Sequence, residues 1–365
     1  MARVVLAGGG SAGHVEPALA TAAALRRLAP DSELTLLGTA RGIESRLVPA
    51  HGYPLALIPA VPLPRRPGRE LLEVPGRLVD AVRAAGAVLD RVQADVVVGF
   101  GGYVALPAYL AARRRRLPLV VHEANARPGL ANRVGARLTR RVATAGPTVR
   151  LPHAVATGIP IRRELVELDR AAERVAARAG FGLAAAAPTL LVVGGSQGAQ
   201  RLNNALLEAA DELLAAGAQV LHIAGPAHAP VVRSRLPTTA GPGYVVVGYV
   251  EEMAAAYAAA DLVLCRAGAM TCAELALLGL PGVYVPLPIG NGEQRLNALP
   301  VVRAGGGVLV PDRQLTGAWL RGHLVALLGD RARLAAMGAV AARFGYRAAD
   351  EALARMVLDA AEERR

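Results

Sequence analysis

A single histidine stands at the mouth of a glycine loop near the start of the chain. Residues 4–17 read VVLAGGGSAGHVEP: a short apolar run, then Gly8-Gly9-Gly10-Ser11-Ala12-Gly13, then His14. A glycine turn after a strand lets backbone N–H groups approach a phosphate, and the N-terminus of the next helix adds about half a positive charge. The same field disfavours an imidazolium, so His14 is expected to be neutral at pH 7 and able to accept a proton. Two more polar clusters follow apolar runs in this half of the chain. They are Gly99-Phe100-Gly101-Gly102-Tyr103 and His122-Glu123-Ala124-Asn125. Glu123 is the second candidate for a base.

The other half carries a matching set. Gly194-Gly195-Ser196-Gln197-Gly198 follows the run TLLVV and offers Ser196 and loop amides as a second phosphate cradle. Arg266-Ala267-Gly268-Ala269-Met270-Thr271 follows DLVLC, and Glu274 lies one helical turn on, where a carboxylate can take both hydroxyls of a ribose. A Pro/Gly loop, 286–292, ends in Glu293-Gln294, two residues able to bond sugar hydroxyls. No strand ends in Asp-x-Asp, so a diphosphate donor is not expected to be held through a bridging metal. Helix dipole, loop amides and arginine would meet the leaving charge instead. Neither a metal nor a cofactor is expected. Gly8 to Gly13 does fit the G-x-G-x-x-G dinucleotide pattern. The acid that should end the second strand is missing, however, because 33–37 runs into Leu37-Gly38-Thr39.

These loops need strands to carry them. Apolar runs at 3–7, 33–37, 95–99 and 118–122, and again at 189–193, 218–224, 244–247, 261–265 and 282–285, alternate with Ala/Leu/Arg-rich helical stretches such as 162–178. Continuous apolar strands separated by helices imply parallel sheets covered on both faces, an α/β doubly wound fold. The two glycine loops suggest two Rossmann-like halves, with a boundary near Gly158-Ile159-Pro160. We expect one domain over 1–161, a second over 162–346, and a last helix near 347–363 that returns to the first domain. Residues 59–77, rich in proline and arginine, read as neither strand nor helix interior.

Length and charge narrow the classes. A chain of 365 residues suggests two domains. All 41 basic residues are arginine, and residues 1–160 hold 21 of them against 10 acids, whereas 161–365 hold 20 against 19. A one-sided basic field suits an anionic partner. Nucleic acid fits poorly, because three Phe and one Trp supply no stacking platform. No run reaches the ~18 apolar residues of a membrane span, and the N-terminal run is too short for a signal peptide. Cys265 and Cys272 read as small buried residues in a reducing compartment.

Taken together, Gly8–His14, Gly99–Pro107, His122–Asn125, Gly158–Arg162, Gly194–Asn203, Val250–Met253, Arg266–Glu274 and Glu293–Pro300 resemble the MurG-type glycosyltransferases along essentially the whole chain. The resemblance implies a GT-B fold: two Rossmann-like doubly wound domains facing a cleft. It implies metal-independent, inverting transfer of GlcNAc from UDP-GlcNAc to the muramoyl sugar of lipid I, giving lipid II. By resemblance, Val250 would meet uracil and Glu274 the ribose, with Ser196, Gln197 and their neighbours on the diphosphate and Arg162 near the nucleotide. Asn125, Ala269, Met270, Thr271 and Gln294 would lie toward the donor sugar, with Ser11 and Gly13 nearby. Gly10, Ala12, Gly101, Gly102 and Tyr103 would face the acceptor diphosphate. His14 would be the base, or else Glu123. The partners implied are UDP-GlcNAc, lipid I and the cytoplasmic face of an anionic membrane, with a cytoplasmic, peripheral location. Arg65, Arg66, Arg69 and Arg77 around Leu71, Leu72 and Val74, with Arg113–Arg116 and Arg140-Arg141, would form a basic rim there. Ala12, Ala124, Ala267 and Glu293 depart from the residues common in that family. The competing readings are a GT-B enzyme with another lipid or natural-product acceptor, and a UDP-GlcNAc epimerase of the same architecture.

Overall fold

A computed structural model describes residues 1–61, 70–195 and 197–364, without the side chains of 70–72. The chain divides into two compact units, Met1–Arg162 with Tyr346–Arg365, and Arg163–Gly345.

The first unit is built on seven strands: β1 (Arg3–Gly8), β2 (Glu33–Gly38), β3 (Leu55–Leu57), β4 (Val96–Gly101), β5 (Leu119–Glu123), β6 (Arg141–Thr144) and β7 (Ala154–Ala156). All pair in parallel, in the order β3-β2-β1-β4-β5-β6-β7. Apolar residues fill both faces, as a buried parallel sheet requires. Along β1, Val4 and Leu6 join the core under the helix Ala12–Leu28, while Val5 and Ala7 join the core under the helices Glu70–Arg91 and Ala105–Arg114.

The closing helix Ala349–Glu362 completes the first of these cores with Leu353, Ala354 and Val357. Arg27 ties the two helices together through Asp350 at 2.8 Å and Glu351 at 3.6 Å. Gly158, at φ +84°, lets the chain pass under Tyr346; a Cβ there would lie 2.3 Å from the tyrosine Cβ.

The second unit repeats the plan with β8 (Thr189–Val193), β9 (Gln219–Ile223), β10 (Tyr244–Val247), β11 (Leu262–Cys265), β12 (Gly282–Tyr284) and β13 (Gly307–Leu309), ordered β10-β9-β8-β11-β12-β13 and again all parallel. Both units are thus Rossmann-like, with the sheet order reversing between β1 and β4 and between β8 and β11. In such sheets the crevice at the carboxyl ends of the reversing strands receives ligands.

The sequence reading missed β3, β6, β7 and β13. Three of these have only three residues, and β3, β7 and β13 are edge strands. An edge strand needs one pairing partner and little apolar area, so it leaves a weak pattern. The stretch 162–178 is two helices, Arg163–Val166 and Arg170–Gly180, because the Asp169 side chain caps the second by accepting from the Ala171 and Ala172 amides. Residues 62–69 lie outside the described residues. From Glu70 the chain is helical despite Pro75, which corrects the non-helical reading of 70–77. A proline this near a helix start costs one internal hydrogen bond, and a long amphipathic helix continues beyond it. Both cysteines are free, and burial pushes their thiols up, Cys272 to about 12.

Candidate active site

In the first unit the loops at the reversal of strand order are those after β1 and β4. Ser11 is the extended N-cap of the helix Ala12–Leu28. Its carbonyl accepts from the His14 and Val15 amides, while Ala12 and Gly13 open the helix. The Ser11 side chain makes no cap bond. Its Oγ lies instead 3.0 Å from His14 Nδ1, and the Gly9 carbonyl is near enough to favour the protonated ring. When Nδ1 carries the ring proton, Nε2 is the basic nitrogen. Burial lowers the His14 pKa from its ordinary value, opposed by the Gly9 carbonyl and by the charge of Glu44. The imidazole is therefore neutral at pH 7.

The β4 loop is shaped by that histidine. Gly101 (φ +98°) and Gly102 (φ +80°) are left-handed. A Cβ on Gly101 would sit 3.0 Å from His14 Nε2, and one on Gly102 would sit 2.1 Å from the Gly9 carbonyl oxygen. Both glycines are required for the two loops to close on each other. Tyr103 is exposed beside Gly10.

Glu123 ends β5 and is almost wholly buried. Its Oε1 accepts from the Asn125 amide (2.8 Å) and side chain (3.4 Å), and its Oε2 from the Gly129 amide (2.9 Å) and Asn132 Nδ2 (3.0 Å). Burial raises its pKa, against those bonds. The neighbouring His122 donates Nε2–H to the Gly158 carbonyl at 3.0 Å. Its Nδ1 is buried without a partner among the described residues, and burial lowers its pKa to about 4. A cavity of about 260 Å3 lies over this ground. His14, Glu123, Asn125 and the Gly101-Gly102 backbone line its polar side, and Val61, Leu78, Leu106 and Leu130 its apolar side. Arg162, where the chain leaves this unit, has its Nε 3.7 Å from Oε2 of Glu16, two residues beyond His14 on the first helix.

The second unit has its own set at the ends of β8, β11 and β12. Ser196 lies outside the described residues. Around it the loop is tight: a Cβ on Gly198 (φ +79°) would meet the Ala224 carbonyl at 2.1 Å, and one on Gly194 the Ala199 amide at 2.3 Å. Gln197 is exposed on that loop. Ala269, Met270 and Thr271 form the first turn of the helix Ala269–Leu277, capped by Gly268. Glu274 is half-buried on the next turn, its Oε2 accepting from Tyr257 Oη at 2.7 Å. Gln294 opens the helix Glu293–Arg303, and its Oε1 accepts from the Leu287 amide at 2.9 Å. That side chain thus already holds the Pro/Gly loop. Val250 is half-buried in the loop after β10.

Residues that sequence reasoning passed over hold these loops in place. Asn132 donates to both Glu123 and the His122 carbonyl, and accepts from Tyr109 Oη at 2.6 Å. Asp312 accepts from Arg266 at 2.6 Å and pairs with Arg201 at 2.8 Å, joining the end of β11 to the helix after the β8 loop. Glu44 binds the Gly10 amide. None of these partners is near its target in sequence. The one available signal was an uncompensated polar residue inside an otherwise apolar or glycine-rich stretch.

The chain matches the N-terminal domain of glycosyltransferase family 28 over residues 4–144 and the C-terminal domain of that family over 189–353. It is 62% identical to a protein of Acidothermus cellulolyticus named UDP-N-acetylglucosamine--N-acetylmuramyl-(pentapeptide) pyrophosphoryl-undecaprenol N-acetylglucosamine transferase, over 99% of each chain. It is 58% identical to a Thermobifida fusca protein of the same name, over 98% of this chain and 93% of the relative. Among solved structures, that of Acinetobacter baumannii MurG superposes with a TM-score of 0.80 at 28% identity, over 98% of this chain and 100% of that one. A UDP-GlcNAc 2-epimerase from Neisseria meningitidis superposes with a TM-score of 0.69 at 15% identity, which shows a shared fold.

Proposed function

The chain belongs to glycosyltransferase family 28, and from that premise we propose that it transfers GlcNAc from UDP-GlcNAc to the muramoyl sugar of lipid I, forming lipid II. The observation that carries this reading is the 62% identity, end to end, with a relative named for that transfer. The epimerase alternative has only the fold in its favour.

We assign the donor to the second unit. The β8 loop and the helix after it would receive the diphosphate, Glu274 the ribose, and the turn Ala269–Thr271 with Gln294 the sugar. The acceptor is assigned to the first unit, beside the β1 and β4 loops, where the amides of Ala12 and Gly13 open a helix toward an anion. The acceptor hydroxyl oxygen attacks the anomeric carbon of GlcNAc from the face opposite UDP, and the bond to the UDP oxygen breaks with its electron pair leaving on UDP. An α-linked donor so gives a β-linked product. The hydroxyl proton passes to the imidazole of His14 as attack proceeds. His14 is preferred over Glu123 because it is neutral and lines the cavity, whereas both Glu123 oxygens already accept bonds that shape the loop 123–129.

We infer further that the first unit works at an anionic membrane surface. Among the described residues no helix is long and apolar enough to cross a membrane. Arg113, Arg114 and Arg116 are exposed, as are Leu57 and Val79. The basic rim is smaller than composition suggests, since Arg115 pairs with Asp90, Arg77 with Glu73 and Arg141 with Glu363. Arg65, Arg66 and Arg69 lie outside the described residues.

The test is transfer of labelled GlcNAc from UDP-GlcNAc to a short-chain lipid I analogue with EDTA present. Product is expected. UDP binding without any transfer to that acceptor would overturn the reading. Vesicle binding that ignores both anionic lipid content and salt would remove the membrane part alone.

A further inference from the structure

The carboxylate of Glu44 lies behind the first glycine loop with no exposed surface. Its Oε2 accepts from the Gly10 amide at 2.9 Å, and its Oε1 from the Thr39 amide and hydroxyl, both at 2.8 Å. Three glycines make room for it. A Cβ would lie 2.7 Å from Oε1 at Gly9, 2.4 Å from Cγ at Gly38, and 2.0 Å from Oε2 at Gly42. Burial favours the neutral acid, but the Gly10 and Thr39 donors bond the charged form and bring its pKa below the usual carboxylate value. The group is a buried anion.

Its place is unexpected. In a dinucleotide-binding sheet the corner beyond β2 holds an acid that grips a ribose. Here β2 itself ends without one, and Glu44, five residues beyond Thr39, returns a carboxylate to that corner. With no exposed surface it cannot reach a ribose. It also occupies the Gly10 amide, which a phosphate-binding loop would otherwise turn toward its ligand. A buried charge is costly unless its bonds accomplish something. One of those bonds ends on Gly10, which is flanked by Ser11, whose Oγ lies 3.0 Å from His14 Nδ1, and by Gly9, whose carbonyl favours the protonated ring.

We propose that Glu44 is a positioning residue for His14: by anchoring the Gly10 amide it fixes the Gly9 carbonyl and the Ser11 hydroxyl that orient the imidazole. The proposal rests on the transfer reading, with His14 as the base. Gly10 then serves the loop's shape, and the amides left to an acceptor diphosphate are those at the helix start.

The groups around His14 are few. Glu44 faces it from the helix Glu44–Ala50. The Gly101-Gly102 backbone and Tyr103 come from the β4 loop, and Glu123, Asn125 and Asn132 from beyond β4 across the shared cavity. Glu16, paired with Arg162, lies on the same helix. Of the carboxylates, Glu44 is the one whose charge acts on the imidazole, and it favours the protonated ring.

The experiment compares wild type with Glu44→Gln, which keeps the volume and removes the charge. Turnover is expected to fall about 10- to 100-fold, as for a displacement of up to an ångström at the reacting group. UDP-GlcNAc affinity should stay within about twofold, since the donor loops belong to the other unit. The acid limb of the kcat/KM profile should move to lower pH. Imidazole NMR should show His14 titrating below its wild-type value, and this readout is independent of activity. If the wild type transfers GlcNAc but Glu44→Gln matches it in kcat, in pH profile and in His14 titration, the positioning role is overturned and the transfer reading stands. If the wild type transfers nothing, the transfer reading fails while the His14 titration still decides the coupling. Should Glu44→Gln fail to fold, Gly42→Ala, whose new methyl would press on Oε2, is expected to move the same readouts in the same direction; unchanged readouts there overturn the proposal.

Discussion

Gly102→Ala is the sharpest probe of how His14, the proposed base, is seated. The added Cβ would lie 2.1 Å from the Gly9 carbonyl oxygen and 3.3 Å from His14 Nδ1. A carbon and a carbonyl oxygen approach no closer than about 3.3 Å, so the β1 and β4 loops must part by roughly 1 Å. A left-handed backbone also costs a residue with a side chain about 1–2 kcal/mol. The first effect should dominate activity, because a shift of about 1 Å at a reacting group costs on the order of 100-fold, or about 2.7 kcal/mol in the barrier. Gly52→Ala separates the two effects, since Gly52 has φ +72° and nothing within 4 Å of its would-be Cβ. Both variants should unfold at a lower temperature, and only Gly102→Ala should lose turnover with UDP-GlcNAc affinity kept. Turnover of Gly102→Ala within about threefold of Gly52→Ala would refute the claim that close loop approach seats His14.

Three other outcomes are expected. His14→Ala should lower kcat by about 10²–10⁴-fold while UDP-GlcNAc affinity holds; near-normal turnover would remove the base role. Stability should fall in acid because burial lowers His122 and His222 to about 4. The unfolded chain protonates each imidazole below about 6.5 and the folded chain does not until about 4, so the unfolded state binds more protons in that window, costing about 3 kcal/mol per group by pH 4. Urea titrations at pH 7 and 4.5 measure this, and equal midpoints would contradict it. Arg178 is buried and donates to the Ala259 and Ala185 carbonyls and to Asp261 at 2.9, 2.6 and 2.7 Å. Arg178→Met should therefore cost about 3 kcal/mol by chemical denaturation, and a loss below about 1 kcal/mol would show that those bonds add little.

The central strands were legible because their apolar runs need no partner to be recognised. β1, β4, β8 and β11 carry the loops assigned to ligands, so the glycine turns after β1 and β4, with His14, could be placed at one edge of the first sheet from the sequence alone. The three-residue edge strands left no such trace. What the sequence could not reveal was which side chains pair. Nothing local in the sequence singles out Glu44, whose carboxylate is found on the Gly10 amide, 34 residues away. Glu123 reads as the second candidate for a base, and the bonds that its oxygens accept from Asn125, Gly129 and Asn132 leave no trace in the pattern. The basic rim likewise shrinks once Asp90, Glu73 and Glu363 find their arginines. Local pattern located the candidate groups, and hydrogen bonds and ion pairs seen only in the structure show how each is engaged.

The return of the helix Ala349–Glu362 to the first unit sets an order of assembly on the ribosome. The second unit, Arg163–Gly345, is contiguous and can close as soon as it has emerged. The first unit cannot, although its sheet is synthesised earlier. The apolar face made by Val15, Leu19 and Ala22 waits for Leu353, Ala354 and Val357, which are translated last. Throughout synthesis of the inserted unit that face is open to water and to chaperones. Release of a chain lacking residues 346–365 would leave it open for good, with a finished second unit attached to an N-terminal half prone to aggregate.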